Sequence, residues 1–164
     1  MSFYLIIRGP LGCGKSTISE KLAVILNAKH FSVDKVLEEN NLEDEKEEGY
    51  ISQKSFRRAN EIIAPIATKI LDSNKPVIFD GNFYWKSQIE DLISRMSFPH
   101  YVFTLKAPLD VCIERDKNRV NPHGEGAAIV VYKKTVEFDY GIIIDINRPL
   151  DDCINDMLSY LEKD

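Results

Sequence analysis

Residues 9–17 read Gly-Pro-Leu-Gly-Cys-Gly-Lys-Ser-Thr, and this stretch decides the fold of the chain. It matches G-x-x-x-x-G-K-[ST], the phosphate-binding loop (P-loop) of proteins that bind nucleoside triphosphates. A hydrophobic run, 3–7, precedes the loop, and a helix-compatible stretch begins at Lys15, so the context is strand, tight loop and helix. Glycines in such a loop adopt backbone angles closed to other residues, so consecutive amide N–H groups form a nest for phosphate at the positive end of the helix. The stretch therefore predicts nucleotide binding.

The motif gives each polar side chain of the loop a task. Lys15 can reach the β- and γ-phosphates, the Ser16 hydroxyl can ligate Mg²⁺, and Thr17 is placed to contact the α-phosphate. Cys13 lies inside the loop, where we interpret its thiol as a filler rather than a redox group. The nucleotide-contacting residues predicted in the loop are Gly9, Leu11, Gly12, Cys13, Gly14, Lys15, Ser16 and Thr17.

Length and composition are typical of one globular domain. The 164 residues predict a single domain, 1–164, which is large enough to bury a core. Lys and Arg number 21 against 26 Asp and Glu, and this net charge of −5 offers no broad footprint for a nucleic-acid backbone. The three cysteines lack metal-ligand spacing. Because no apolar run approaches the roughly 18 residues of a membrane span, we expect a cytoplasmic protein with no membrane partner.

Hydrophobic periodicity predicts strands that alternate with helices. Such alternation is typical of a parallel sheet covered by helices on both faces, a three-layer α/β/α arrangement with ligands at the carboxyl ends of the strands. The predicted strands are 2–7, 30–33, 77–80, 101–105 and 142–146, and the predicted helices are 15–26, 52–73, 85–96, 110–119, 127–138 and 150–161.

The region 35–73, which we assign to the acceptor side of the fold, contains two unusual features. Pro65 falls inside the helix predicted over 52–73, and we expect it to kink that helix or split it in two. The segment 38–48 holds seven acidic residues against one Lys. We interpret this acidic segment as an exposed, mobile loop rather than a cation or partner site.

Two carboxylates follow predicted strands. Asp34 comes directly after the second strand and Asp80 ends the third, and these strand ends converge on the crevice that holds the P-loop. Phosphoryl transfer needs a metal near the β- and γ-oxygens and a carboxylate that orients or deprotonates the acceptor hydroxyl. Asp34 and Asp80 are suitable for these two tasks. The alternative for each is a helix N-cap or turn residue.

Two arginines lie four residues apart on the predicted helix 110–119. Arg115 and Arg119 share one face of that helix, and the stretch 121–126 with its two glycines and one proline can act as a flexible tip. We predict a short lid at about 115–128 that lays both guanidinium groups over the transferring phosphates, because Arg binds phosphate bidentately. Ion pairs within the helix are the alternative.

Other polar and aromatic positions have weaker signals. Arg57 and Arg58 fit either an acceptor pocket or a solvated helix face, and the run 82–85 (Asn-Phe-Tyr-Trp) fits either an acceptor pocket or the core. His100 and His123 lack the partners that nucleophilic or metal chemistry requires, so we interpret both as structural or surface residues.

Taken together, these motifs resemble the small P-loop kinases related to nucleoside monophosphate kinases. The chain looks most similar to the branch that holds polynucleotide 5′-kinase, chloramphenicol phosphotransferase, zeta-toxin-like kinases and other AAA-type ATP-binding kinases. The resemblance covers nearly the whole chain. Its anchors are 9–17, Phe31-Ser-Val-Asp34, Val77-Ile-Phe-Asp-Gly-Asn82, 107–119 (from Ala107-Pro-Leu-Asp to Lys-Asn-Arg119) and Gly141-Ile-Ile-Ile-Asp145.

The resemblance implies a five-stranded parallel sheet of order 2-3-1-4-5 with a short lid, and MgATP as the phosphoryl donor. It places the acceptor-activating carboxylate at Asp34 and the lid arginines at Arg115 and Arg119. It also places the adenine between the base of the lid and the loop near 147–150, which makes Arg148 a nucleotide-binding residue. Asp80, with Ser16, is then the expected Mg²⁺-side residue.

We therefore predict an ATP- and Mg²⁺-dependent phosphotransferase that acts on a hydroxyl of a small-molecule or nucleotide-like acceptor. Lys15, Asp34, Arg115 and Arg119 are the predicted catalytic residues. One alternative is a kinase of the 5′-hydroxyl of a nucleic acid, which the acidic charge disfavours. The other alternative is a nucleotide-binding regulatory ATPase that has no kinase acceptor.

Overall fold

The computed structural model describes residues 2–161, and at its centre is a sheet of five parallel strands. None of the helices in this described part is long and apolar enough to cross a membrane. The elements in chain order are β1 (Tyr4–Arg8), α1 (Lys15–Leu26), β2 (Lys29–Ser32), α2 (Val33–Glu39), β3 (Lys46–Glu47), β4 (Tyr50–Ile51), α3 (Gln53–Asp72), β5 (Val77–Gly81), α4 (Lys86–Ser94), β6 (His100–Lys106), α5 (Leu109–Lys117), α6 (Glu125–Thr135), β7 (Ile142–Asp145) and α7 (Leu150–Leu161).

The strands of the central sheet lie in the order β2-β5-β1-β6-β7. Numbered along the chain within this sheet alone, that order is 2-3-1-4-5, so the prediction is confirmed. β1 occupies the centre, and all five of its residues are buried, as expected for an apolar strand covered on both faces. Asp80 pairs in register with Ile7 of β1 on one side and with Ser32 of β2 on the other. The carboxyl ends of these three strands therefore meet at the P-loop.

Alternate residues of β1 point into two separate hydrophobic cores. Tyr4 and Ile6 pack in the core that contains residues of α2, α3 and α4. Leu5 and Ile7 pack in the core that contains residues of α1, α5 and α7. Because side chains alternate along a strand, one continuous apolar run supplies both layers. The predicted three-layer arrangement is confirmed.

A helix that is not among the predicted ones, α2, begins directly after β2. The Ser32 side chain caps α2 by accepting a hydrogen bond from the Lys35 backbone N–H at 3.5 Å. The strand therefore ends at Ser32, and Asp34 lies in the first turn of the helix. The N-cap is Ser32, so the alternative that made Asp34 an N-cap or turn residue is wrong, although an acidic side chain in the first turn is favoured by the positive end of the helix.

Pro65 does not split the helix in two, which was one of the two outcomes that we expected there. α3 continues without a break through Pro65, and its neighbours Ile63, Ala64 and Ala67 are buried in the core. Pro65 itself lies on the exposed face of the helix. The backbone hydrogen bond that proline removes is therefore lost on the solvent side, and the packing of the buried face holds the helix together.

The acidic segment 38–48 is only in part the loop that we predicted. Most of its acidic side chains are exposed, but it ends in a hairpin in which β3 pairs antiparallel with β4. The Glu47 carboxylate accepts hydrogen bonds from the backbone N–H of Gln53 at 3.1 Å and from its side-chain amide at 2.7 Å. The hairpin is thereby fastened to the start of α3, a contact that its composition did not indicate.

Candidate functional site

The P-loop connects the buried central strand to α1 and packs closely against α5. Gly12 and Gly14 both adopt left-handed backbone angles, with φ of 76° and 93°. A Cβ atom on Gly12 would lie 2.2 Å from the Cys112 carbonyl oxygen of α5, so only glycine fits there. The loop is thus shaped for a phosphate nest, and α5 is held against it.

The cleft beside this loop is a cavity of about 440 Å³, within the range of small-molecule sites. It brings together every predicted site residue except Gly9. Gly9 lies behind the loop, where a Cβ would approach the Cys13 Sγ to 2.7 Å, so its role in the structure is packing. The cavity is lined by Leu11, Gly12, Cys13, Gly14, Lys15, Ser16, Thr17, Ile18, Asp34, Asp80, Arg115, Arg119, Ile146, Arg148, Leu150 and Cys153.

The Lys15 side chain folds back onto the P-loop. Its ammonium group donates a hydrogen bond to the Pro10 carbonyl oxygen at 2.8 Å, and the residue is only 8% exposed. The cation is therefore held next to the amides of the loop, where the positive end of α1 adds to its attraction for an anion. This is where the motif predicts the phosphate-binding lysine.

Arg115 joins two walls of the cavity. Its guanidinium group donates to the Cys13 carbonyl oxygen of the P-loop and to the Ile146 carbonyl oxygen after β7, each at 3.2 Å. Arg115 therefore lines the cavity with its guanidinium group held in place by two hydrogen bonds to the protein backbone. These two bonds give Arg115 a structural task, since they join the P-loop to the end of β7.

Arg148 is fastened on the opposite side of the cavity. Its guanidinium group donates to the Asp145 carbonyl oxygen at 2.7 Å and forms an ion pair with Asp156 of α7 at 2.5 Å. Ile146 and Leu150 contribute apolar surface beside it. A planar cation with apolar neighbours is suitable for the face of a nucleobase.

Asp34 lies on the side of the cavity opposite this base-side wall, in the first turn of α2. Asp34 is exposed to the cavity. Desolvation by the surrounding protein raises its pKa above the ordinary value, and the nearby Asp80 carboxylate raises it further. Lys15, His123 and Arg119 act in the opposite direction. A carboxylate with a raised pKa is a stronger base, which suits the removal of a hydroxyl proton.

Asp80 is the most enclosed carboxylate of the cleft. It is 2% exposed and forms a short hydrogen-bonded contact with the Nε2 atom of His30 on the neighbouring strand β2. The sequence analysis missed His30, because 50 residues separate it from Asp80. The imidazole fixes one carboxylate oxygen and leaves the other for a ligand, as partners of metal-side carboxylates do.

The predicted lid segment contains a pair that sequence reasoning also missed. Asp116 of α5 is 1% exposed and lies 3.1 Å from the Nδ1 atom of His123, which we had interpreted as a structural or surface residue. Arg119 lies between them in sequence, with its guanidinium 3.2 Å from the same Nδ1 atom. Arg119 lines the cavity, so this part of the segment faces the cleft.

Aromatic residues after β5 pack in the core and bind the hairpin residue Ile51. The Tyr84 hydroxyl accepts a hydrogen bond from the Ile51 backbone N–H at 3.0 Å, and the Trp85 indole N–H donates to the Ile51 carbonyl oxygen at 2.8 Å. Lys134 of α6 lies 3.9 Å above the Trp85 ring centroid. This cluster is buried, so the core interpretation of the aromatic run is correct for Tyr84 and Trp85.

The side chains of the cleft fit a nucleoside triphosphate with Mg²⁺. The loop amides, Lys15 and Arg119 match phosphate oxygens, and Ser16 and Asp80 supply oxygen ligands. Within residues 2–161 there is no group of three or more His, Cys, Asp or Glu side chains that could hold a metal ion.

A comparison with protein families decides the membership of the chain. Residues 5–136, more than half of the chain, match the family AAA_33, described as an AAA domain. The chain belongs to this AAA-domain family. No curated protein matches it.

Three solved structures show the fold of this AAA-domain chain. An unliganded sugar kinase from Janibacter sp. HTCC2649 is 17% identical, with a TM-score of 0.81 over 99% of this chain and 95% of that one. A gluconokinase from Sinorhizobium meliloti 1021 is 18% identical, with a TM-score of 0.76 over 98% and 91%. A deoxyadenosine kinase from M. mycoides with bound dCMP and dCDP is 18% identical, with a TM-score of 0.58 over 98% of both chains. The predicted resemblance to small P-loop kinases is confirmed in family and fold.

Proposed function

We propose that this AAA-domain chain is an ATP- and Mg²⁺-dependent kinase that phosphorylates a hydroxyl group of a small molecule. The observation that carries the proposal is the convergence of Lys15, Asp34 and Arg119 on one cavity beside the P-loop. A loop alone supports nucleotide binding, whereas a carboxylate of raised pKa opposite that loop supports transfer to an acceptor. The similar structures named above are also kinases of hydroxyl-bearing compounds.

In the proposed reaction Asp34 accepts the proton of the acceptor hydroxyl. The acceptor oxygen then forms a bond to the γ-phosphorus of ATP while the bond from that phosphorus to the bridging oxygen breaks, which leaves ADP. Lys15 and Arg119 neutralise the charge that spreads over the phosphoryl oxygens. Mg²⁺, held through Ser16 and Asp80, would supply further neutralisation of the phosphate charge.

The nucleotide is held by a different set of groups from those that act on the acceptor. The P-loop amides bind the phosphates, and Arg148 with Leu150 forms the wall for the base. Arg115 connects these two walls through its bonds to the Cys13 and Ile146 carbonyl oxygens. We therefore assign Arg115 to nucleotide binding as well as to charge neutralisation.

The proposal is tested by incubating the protein with γ-labelled ATP and Mg²⁺ in the presence of single acceptors. The panel contains sugars, sugar acids, nucleosides and a 5′-hydroxyl oligonucleotide. We expect label on a small hydroxyl compound, loss of that transfer in Lys15→Ala, and normal transfer in Lys21→Ala, an exposed lysine of the same helix α1. Full transfer by Lys15→Ala would refute the assignment.

A second variant separates the role of Asp34 from that of the loop. Asp34→Asn should keep ATP binding and lower the turnover by about a hundredfold or more, within the range of general-base catalysis. Equal losses of binding and turnover would instead place Asp34 on the metal side or in a structural role. Label on the oligonucleotide alone, with a transfer rate that falls steeply with salt, would favour a polynucleotide kinase. Slow ATP loss that no acceptor changes would favour a regulatory ATPase.

A further inference from the structure

A buried carboxylate, Asp116, lies in the last turn of α5, directly before the exposed segment that joins α5 to α6. Residues 117–126 are exposed, yet Asp116 is 1% exposed. Burying a charge is costly unless hydrogen bonds compensate it, so the partners of this carboxylate show its purpose. Within the described chain those partners are the backbone N–H and the imidazole of His123 and the backbone N–H of Gly124. In the same residues no lysine or arginine forms an ion pair with this carboxylate.

Both oxygens of Asp116 accept hydrogen bonds from the far end of the turn. Oδ1 accepts from the His123 backbone N–H at 3.1 Å, and Oδ2 accepts from the Gly124 backbone N–H at 2.9 Å. Gly124 is the N-cap of α6 and has no side chain to satisfy the free amides of that helix. The carboxylate thus closes the turn 117–124 and fixes where α6 starts. These bonds lower the pKa of Asp116 although its burial acts in the opposite direction.

The same carboxylate decides how His123 uses its Nδ1 atom. That atom lies 3.1 Å from the Asp116 Oδ1 and 3.2 Å from the Arg119 guanidinium. One ring nitrogen carries either a proton or a lone pair, so it can donate to Asp116 or accept from Arg119, but not both. A neighbouring carboxylate favours the protonated Nδ1. With the proton directed at Asp116, the guanidinium of Arg119 keeps its donors for a ligand in the cleft.

We propose that Asp116 is a positioning residue for phosphoryl transfer, because it fixes the lid turn and the His123 tautomer that together present Arg119 to the cleft opposite Asp34. This role rests on the proposed function, since it needs a transferring phosphoryl group for Arg119 to contact. Asp116 itself does not line the cavity. It acts through Arg119.

The structure separates this role from nucleotide binding. Arg115, one residue earlier, is anchored by the Cys13 and Ile146 carbonyl oxygens and does not depend on the turn. Loss of the Asp116 charge should therefore leave the nucleotide walls in place. We expect an effect on kcat and little effect on the KM for ATP.

The test is a double-mutant cycle of kcat, KM for ATP and Tm, with the acceptor found above. Asp116→Asn keeps the shape but places an amide N–H₂ against a backbone N–H, and we expect it to lower kcat at least about tenfold with less than about a twofold change in KM. In an Arg119→Gln background the same substitution should change kcat less than about twofold, because the group that it positions is gone. Asp110→Asn, an exposed carboxylate of the same helix, is the matched control.

Each outcome decides for or against the role. If Asp116→Asn lowers kcat by the same factor in both backgrounds, Asp116 is only structural and the proposal is wrong. If Asp116→Asn does not fold, Arg119→Gln alone still decides, because an unchanged kcat in that variant overturns the proposal. If the wild type transfers phosphate and Asp116→Asn matches it, only this role fails. If the wild type transfers none, the proposed function fails first and the role falls with it.

Discussion

The close approach of the P-loop to α5 leads to a sharp prediction for Gly12→Ala. The new methyl group would lie 2.2 Å from the Cys112 carbonyl oxygen, and contacts of a Cβ below 3.0 Å essentially never occur in proteins. Gly12 also has a φ of 76°, which an L-residue with a side chain adopts only with strain. The variant must therefore push α5 away from the loop, in addition to bearing the backbone strain.

The two costs can be estimated separately. A side chain in the left-handed region costs roughly 1–2 kcal/mol. The overlap requires a separation of about 1 Å between packed backbones, and overpacking of this kind costs roughly 1–3 kcal/mol. The sum is roughly 2–5 kcal/mol of unfolding free energy, which for a chain of this size lowers the Tm by about 4–20 °C. Because α5 carries Arg115, we also expect weaker nucleotide binding.

Two other glycines provide matched controls for thermal and denaturant unfolding. Gly49 has a φ of 85° and nothing within 4 Å of a Cβ, so Gly49→Ala measures the backbone strain alone. Gly126 lies in α6 with open space around a Cβ, so Gly126→Ala should be neutral or slightly stabilising. The expected order of stability is Gly126→Ala, then Gly49→Ala, then Gly12→Ala.

The difference between Gly12→Ala and Gly49→Ala isolates the contact between the loop and α5. If these two variants unfold at the same denaturant concentration, the carbonyl of Cys112 is not close to the loop in solution, and the placement of Arg115 derived from that contact is wrong. If Gly12→Ala is less stable but binds ATP normally, the packing is correct and the link from α5 to nucleotide affinity is refuted.

Three further predictions concern buried groups. Because the pKa of Asp34 is raised in the folded protein, its stabilising contribution is complete below the unfolded pKa and is lost as the pH rises through the folded pKa. Asp34→Asn should therefore raise the unfolding free energy at about pH 8. The increase should be measurable but small, up to about 1 kcal/mol, because solvent screens the carboxylate. Equal stability of the two proteins would contradict this. Burial raises the pKa of the Cys112 thiol to about 11. Cys13 and Cys153 are also buried. A thiol reagent at about pH 8 should therefore modify the native protein far more slowly than the unfolded one. Arg8→Met should lower the unfolding free energy, measured with denaturant, by at least about 3 kcal/mol. The reason is that the fully buried guanidinium donates to the carbonyl oxygens of Phe83, Thr135 and Phe138. A loss no larger than that of Arg58→Met, which changes an exposed arginine, would contradict this prediction.

Local patterns predicted the elements that local interactions determine. The P-loop defines the start of α1 at Lys15, and the sequence placed both α1 and α7 at the bounds that the structure has. The sequence placed Asp34 at a strand end, whereas it lies in the first turn of α2. Hydrophobic periodicity could not show this helix start, because a single hydrogen bond to the Ser32 hydroxyl caps it. The predicted strand end, residue 33, differs from the observed one by one residue, and Asp34 lines the cleft.

Contacts that join distant parts of the chain could not be predicted in this way. His30 meets Asp80 only because β2 and β5 are neighbours in the sheet. α3 is not split at Pro65 for a related reason, since the packing of the buried face of α3 outweighs a hydrogen bond lost on its exposed face. The Asp116 and His123 pair is close in sequence, but its spacing matches no known ligand pattern, so only its burial reveals it.

The two halves of the cleft are built in different ways, and this explains why the sequence indicates the donor better than the acceptor. In the proposed function the nucleotide side is held by backbone groups that Gly12, Arg115 and Arg148 connect, and such a frame leaves a recognisable glycine and lysine motif. On the proposed acceptor side we place one carboxylate, Asp34, and a turn closed by Asp116. Because few side chains define that side, we expect exchanges at a few positions around Asp34 and the turn to change the acceptor without disturbing the nucleotide site.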